Sequence, residues 1–242
     1  MQHYSADFTR RLLLEAGLQP GMRVLDVGCG YGDVTRLIAS LVGESGSVLG
    51  VDTQATTLEA ARQRGGRFQE ADINRLPAEL QDFDAIVGRR VLMYQSEPLE
   101  TLRGLAGRLK PGGLIVFQEA DLTMVPARLE ALPLHEKAHG WVREMIRLEG
   151  CDLNMGFHLD GLLRGAGLQV GGVRAEAIVQ TPDQPGTLGF IVQAVLPRIL
   201  EQGVTTASEV DIDTLQARLD AERIESGATF IGDMMFGAWA TR

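Results

Sequence analysis

Residues 23–33 read Arg-Val-Leu-Asp-Val-Gly-Cys-Gly-Tyr-Gly-Asp, and the reading of the fold starts there. A short apolar run holding Asp26, followed by Gly28, Gly30 and Gly32 at two-residue intervals, is the pattern of a buried parallel strand that turns sharply into a helix. Glycine is required where a backbone takes positive φ or comes within contact distance of a ligand, because a Cβ would clash there. The amides at the start of the following helix then lie open to polar ligand atoms. A Gly-x-Gly-x-Gly turn alone is a weak signal for a nucleotide-type ligand. Its surroundings decide the matter.

Upstream, residues 5–16 place Phe8, Leu12 and Ala16 at four-residue spacing behind Ser5, with Gly17 as a stop, which predicts a leading helix. Tyr4 sits where that segment could fold over a ligand or simply pack. Downstream, Val34, Leu37, Ile38 and Leu41 predict a helix over 34–42, and Val48–Val51 a second strand ending at Asp52. Asp52 stands about twenty residues beyond Gly32, the distance at which doubly wound folds place an acid that accepts hydrogen bonds from ribose hydroxyls. A helix over 56–64 and a short strand over 67–71 lead to Asp72-Ile73. A carboxylate followed by an apolar side chain at a third strand end suits an adenine, one accepting the exocyclic amine and the other packing on the ring.

The fourth strand, residues 83–87, ends in Gly88-Arg89-Arg90. Ser96-Glu97-Pro98 opens a helix that Lys110-Pro111-Gly112-Gly113 closes, and residues 114–117 form the fifth strand. Strands alternating with helices mean a right-handed parallel sheet covered on both faces. Its ligand belongs at the carboxyl ends of strands one to four.

At 242 residues the chain is expected to be one domain, 1–242, with insertions. No apolar stretch approaches the roughly 18 residues that span a bilayer. Arg10, Arg11 and Glu15 stand where a signal peptide needs an apolar core, so no membrane and a cytoplasmic location are expected. A formal charge of −9 and a pI near 5.0 repel a phosphate backbone, which argues against nucleic acid as a partner. Cys29 and Cys151 make neither a disulfide framework nor a metal pair by spacing.

Taken together, the motifs resemble those of class I S-adenosylmethionine-dependent methyltransferases of the small-molecule type. The matching pieces are residues 24–32, Gly-Val-Asp at 50–52, Ala-Asp-Ile at 71–73, Phe-Asp-Ala-Ile-Val at 83–87 and Leu-Lys-Pro-Gly-Gly at 109–113, in the family's order and spacing. The resemblance covers residues 20–120 and loosens beyond them. It implies an α/β fold with a doubly wound, seven-stranded, mostly parallel Rossmann-like sheet carrying helical lid insertions, and S-adenosylmethionine as cofactor. Gly28, Cys29 and Gly30 would then approach its methionine part, with Asp26 near the amino group. Asp52 would hold the ribose, with Thr53 beside it as a further cofactor-binding residue, and Asp72 and Ile73 the adenine. Gly88 and Arg89 would border the sulfonium and the methionine tail, Arg89 through its backbone. A nicotinamide site more often reads Gly-x-Gly-x-x-Gly, and here the third glycine comes one residue early.

The second half carries less signal. Residues 121–157 read as a lid insertion after the fifth strand, with Leu134, Ala138, Trp141, Val142, Met145 and Ile146 on one apolar helical face. Within it, His135-Glu136-Lys137-Ala138-His139 is a literal His-Glu-x-x-His match, which on a helix would offer two zinc ligands and a base. Met145 stands where the longer metalloprotease pattern has its third histidine, so no metal is expected. Two readings stay open for His135 and His139: one of them faces the substrate as a catalytic residue, or both are polar residues on the outside of an amphipathic lid. Residues 184–225, between strands six (168–179) and seven (229–240), read as a second insertion of two helices, the latter opened by the capping box Thr206-Ala207-Ser208-Glu209. An apolar face with Phe190, Ile191, Val195 and Ile199 fits either more pocket cover or a homodimer contact. His3, Tyr94, Glu119, Asp121 and His158 are further candidates for a pocket rim.

The expected function is methyl transfer from S-adenosylmethionine to O, N or C of a small-molecule acceptor by in-line displacement. That chemistry needs alignment and water exclusion first, and a base only for a hydroxyl or protonated amine. The competing readings are an NAD(P)-dependent oxidoreductase and a methyltransferase-fold protein that binds the cofactor without methylating.

Overall fold

A computed structural model describes residues 2–124, 129–184 and 186–242. The side chains of His3 and Tyr4 lie outside the described residues. The chain falls into two compact units. One holds residues 2–120, 154–176 and 235–242 and carries most of the sheet; the other holds 121–153 and 177–234 and is largely helical.

In the sheet unit, α1 (Gln2–Glu15) leads into β1 (Arg23–Val27), α2 (Asp33–Val42), β2 (Ser47–Asp52), α3 (Ala55–Gln63), β3 (Phe68–Glu70), β4 (Phe83–Arg89), α4 (Pro98–Ala106) and β5 (Leu109–Asp121). A single 3-10 turn, Leu92–Tyr94, follows β4. α6 (Met155–Gly165), β6 (Gln169–Gln180) and β7 (Phe230–Thr241) complete the sheet, whose strand order is β3-β2-β1-β4-β5-β7-β6. β3, β2, β1, β4 and β5 run parallel in register, Asp26 beside Gly50 on one side and beside Val87 on the other. β7 runs against both neighbours. Arg242 exchanges backbone hydrogen bonds with Gly112 and Gly113 at the start of β5, while Met235 meets Gln118 near its end. Towards β6, Trp239 lies against Gly171 and Gly172, and Gly232 against Ile178.

The expected seven-stranded, mostly parallel sheet is therefore present. β1, β4 and β5 are sealed on both faces, with Leu25, Ile86 and Phe117 among the largest fully buried side chains. Each such side chain contributes about 1.5–3 kcal/mol relative to exposure. The helix after β4 stops at Ala106, not at the Lys110–Gly113 turn, because residues 109–113 already belong to β5, with Gly112 at φ +75°.

In the helical unit, α5 (Pro133–Leu148) packs on α7 (Leu188–Glu201) and α9 (Ile212–Ser226), and α7 on α9. The residues expected as two separate insertions thus pack on each other. The second of the two helices expected within 184–225 is broken in two: α8 (Ala207–Val210) ends where Asp211 takes φ +45°, and α9 restarts from it. Thr206 accepts the amide of Glu209 at 3.2 Å, the N-cap half of the expected box. The Glu209 carboxylate instead takes Lys137 and Thr205, each at 2.6 Å. Among the described residues, no helix is long and apolar enough to cross a membrane.

Candidate functional site

The strand order places four loops side by side at the carboxyl edge of the sheet: Asp72 after β3, Asp52 at the end of β2, the glycine turn after β1, and Arg89 at the end of β4. Three strand spacings of roughly 4.8 Å make this row about 14 Å long. The turn is fixed at both flanks, the Cys29 amide donating to the Val51 carbonyl at 3.0 Å and the Gly30 amide to Asp52 Oδ2 at 2.8 Å. The second Asp52 oxygen accepts the Gln54 amide at 2.9 Å. Asp52 therefore reaches across from β2 with a preset orientation.

The three turn glycines differ. All have positive φ, +63°, +50° and +73°. A Cβ at Gly28 would lie 2.5 Å from Val91, and one at Gly32 would lie 2.5 Å from Phe68, so both are glycine because protein packs against them. A Cβ at Gly30 would meet nothing within 4 Å. Only Gly30 presents bare backbone to open space. Gly88 belongs with the first two, since Phe117 fills the position of its missing Cβ at 2.3 Å.

Asp26 is 1% exposed, and Thr35 Oγ1 donates to its Oδ2 at 2.6 Å. Burial raises its pKa to about 7 against the opposing pull of Thr35 and the Arg89 charge. Burial in turn lowers the pKa of Arg89, with the Arg90 charge adding to that effect and Asp26 and Asp33 opposing it. Cys29 is buried and its thiol is pushed upward, again chiefly by desolvation. Asp72 accepts the amide of Asn74 at 2.9 Å and is exposed, with the buried Ile73 beside it. Thr53 is exposed.

Two further groups shape the loop after β4. Glu119, 1% exposed on β5, accepts the amides of Val91 and Leu92 through Oε1 at 3.0 and 2.9 Å, which seats Val91 against Gly28. Its Oε2 is buried without a hydrogen-bond partner among the described residues, and burial raises the carboxyl pKa to about 7. Gln95 donates to the Val91 carbonyl and accepts from Asn74, whose own oxygen accepts the Thr101 hydroxyl at 2.6 Å. The loops after β3 and β4 are thereby tied through side chains. Neither Asn74 nor Gln95 carries a sequence signal, since polar residues in loops are common and only the partner at long range gives them a role.

In the helical unit, His135 and His139 have different surroundings. His135 is 4% exposed; its Nδ1 hydrogen-bonds Glu222 at 2.7 Å, and its ring meets Phe230 edge-on at 5.3 Å. The same carboxylate accepts the Leu134 and His135 amides at 2.8 and 3.0 Å, capping the start of α5. Burial alone would raise the pKa of Glu222, but those two amides and the imidazole outweigh it and hold it below the usual range. His135 is thus a strut between α5 and α9 and does not face outward. His139 lines a cleft together with Leu122, Met124, Val142, Arg143, Gln180, Thr187, Leu188 and Ile191. Among the described residues, no cluster of His, Cys, Asp and Glu could hold a metal ion. Of the other rim candidates, Asp121 is buried and accepts the Thr123 and Met124 amides at the exit of β5, while Tyr94 and His158 are exposed. On α7, Ile199 is fully buried and Phe190 is 60% exposed, so the apolar face expected there is divided between interior and surface.

A doubly wound sheet with a glycine turn and acids at successive strand ends defines a nucleotide-type binding protein of the α/β class. A family model described as a methyltransferase domain matches residues 18–155, more than half of the chain. The chain belongs to that family, and its motif order and fold are those of the class I S-adenosylmethionine-dependent methyltransferases. A trans-aconitate 2-methyltransferase from Rhizobium etli is 36% identical over 134 residues, 54% of this chain and 50% of that protein. A ubiquinone/menaquinone biosynthesis C-methyltransferase from Ectopseudomonas mendocina is 34% identical over 119 residues, 46% of each chain. The chain spans about half the length of these curated relatives. A crystal structure of a SAM-dependent methyltransferase from Aquifex aeolicus superposes with a TM-score of 0.52 at 25% identity, covering 68% of this chain and 81% of that one.

Proposed function

We propose that the protein transfers a methyl group from S-adenosylmethionine to a small-molecule acceptor. The observation that carries this reading is the row at the sheet edge: Gly30 opening onto free space with Asp52 held over it by the Gly30 and Gln54 amides. These residues suit an adenosyl ligand. A carboxylate whose oxygens each already accept one amide still has lone pairs for a ribose diol. Asp72 and Ile73 offer a polar edge and an apolar face for the adenine. Gly28, Cys29 and Gly30 supply backbone to the methionine part, Asp26 sits beneath it, and Gly88 and Arg89 bound it from β4.

When bound, S-adenosylmethionine supplies a methyl group on a sulfonium that is already a good leaving group. The chain then has to orient and to exclude water. Glu119 holds Val91 and Leu92 in place, and Gln95 and Asn74 tie that loop to Asp72-Ile73, so both sides of the ligand are set before it arrives. For a hydroxyl or ammonium acceptor, the lid histidine assigned as proton acceptor is His139, which lines a cleft of the helical unit; His135 is assigned the strut role. The same reading puts the protein in the cytoplasm, assigns no nucleic-acid partner on a charge of −9, and marks the exposed Phe190 as the contact should two copies pair.

The test is to incubate the protein with methyl-labelled S-adenosylmethionine and a metabolite extract. Label is expected in the low-molecular-weight fraction. Label confined to protein or nucleic acid, or none from a protein that binds S-adenosylhomocysteine, contradicts the proposal.

A further inference from the structure

The helical unit contains a cation that the rest of its charge pattern leaves out. Lys137 pairs with Glu209, Arg147 with Glu144, Arg198 with Glu149, Arg218 with Asp211 and Arg223 with Asp220. Arg143, on α5, has neither a hydrogen bond nor an ion pair among the described residues, although it is half-buried and the chain carries 32 acids against 23 lysines and arginines. It lines the cleft described above, one helical turn after His139. No acid lines that cleft among the described residues. The remaining wall is mostly apolar, with Gln180 and Thr187 as polar exceptions, and the cleft opens to solvent.

A guanidinium partly withdrawn from water and facing apolar neighbours lacks the partner that would offset its lost hydration. Its planar fork matches a carboxylate through two parallel N–H···O bonds. A phosphate dianion would call for a second unpaired cation, whereas the apolar wall suits a singly charged group on a hydrocarbon body.

We propose that this cleft binds a small apolar carboxylate, with Arg143 gripping its carboxylate group. Calling that ligand the methyl acceptor rests on the methyltransferase reading above, but the binding itself does not.

The experiment is calorimetric titration of the full chain with benzoate and with cyclohexanecarboxylate, against benzamide and phenylphosphonate, and separately with S-adenosylhomocysteine. The wild-type protein should bind the two carboxylates saturably and the amide at least roughly tenfold more weakly, the scale of one lost charge-assisted contact. Arg143→Met, which keeps the apolar stem, should lose carboxylate binding by roughly tenfold or more with its Tm and its affinity for S-adenosylhomocysteine unchanged. Arg143→Lys should keep part of the affinity. Equal binding of benzamide, preference for phenylphosphonate, no carboxylate binding by the wild type, or an unchanged Arg143→Met variant overturns the proposal. Carboxylate binding without S-adenosylhomocysteine binding would sink the methyltransferase reading and leave this one standing; the reverse would do the opposite.

Discussion

The carboxyl edge of the sheet and the helical unit hold their acids in different ways. At the sheet edge, acids are held by backbone amides: Asp52 by Gly30 and Gln54, Glu119 by Val91 and Leu92, Asp72 by Asn74. Asp52 and Asp72 keep lone pairs on the accessible side, while Glu119 is buried and holds the loop after β4. In the helical unit acids are matched to side-chain cations, and Glu222 also closes the end of α5. There the exception carries the information, since among the described residues Arg143 lacks what its neighbours have. The proposed binding group is thus a fixed carboxylate in one region and, among the described residues, an unmatched cation in the other.

Substitutions that separate holding the fold from holding a ligand sharpen this contrast. The largest effect is expected at Gly30. Gly30→Ala meets no protein atom, so it should cost only about 1 kcal/mol of stability for its positive φ while reducing affinity for S-adenosylhomocysteine by roughly a hundredfold. Gly28→Ala should do the reverse, losing about 1–3 kcal/mol of stability against Val91. Chemical denaturation and calorimetry on the two variants read out both numbers, and equal behaviour would erase the distinction drawn between the glycines.

Asp52→Ala should weaken S-adenosylhomocysteine binding by about 1–3 kcal/mol, the usual loss for a charged hydrogen-bond partner. An unchanged affinity would remove Asp52 from the site. His135→Ala should cost about 1–3 kcal/mol of folding stability by leaving the half-buried Glu222 without its imidazole, with cofactor affinity intact. His139→Ala should lower turnover more than cofactor affinity. Were the two histidine variants to behave alike, the division into strut and cleft residue would fail.

The smallest effect concerns pH. Asp26 and Glu119 have folded-state pKa values raised to about 7 by burial, well above those of an unfolded chain. Groups raised in this way bind more protons when folded, so the stability they contribute is present below about pH 4 and is lost as pH rises towards 7. Asp26→Asn and Glu119→Gln should each flatten that decline by on the order of 1 kcal/mol. A Tm profile over pH that is identical in wild type and both variants would contradict the assignment.

The unequal legibility of the two units has a physical origin. Along residues 23–113 the sequence shows the sheet directly, because a parallel strand buried on both faces must be a short apolar run and its end must turn in a few residues. Asp26, Asp52 and Asp72 stand at such ends and were visible for that reason. What stayed hidden was the division of labour among glycines, since Val91, Phe68 and Phe117 reach Gly28, Gly32 and Gly88 only through the fold. In the helical unit an amphipathic pattern gives a face but not its partner. His135 and His139 look alike in sequence, and only Glu222, 87 positions away, tells them apart. Arg143 shows nothing on its own, because an arginine without a partner is recognised only when every neighbour's partner is known. The break of the last helical segment at Asp211 likewise depends on a positive φ that no periodicity reports.

The central claim is that the edge formed by β3, β2, β1 and β4 is a site for an adenosyl-sulfonium ligand. Titration calorimetry of the wild-type protein with S-adenosylmethionine and, side by side, with NAD and NADP tests it most directly. Saturable one-to-one heat with S-adenosylmethionine, diminished in Asp52→Ala, is the predicted result; heat with a nicotinamide dinucleotide and none with S-adenosylmethionine would contradict the account.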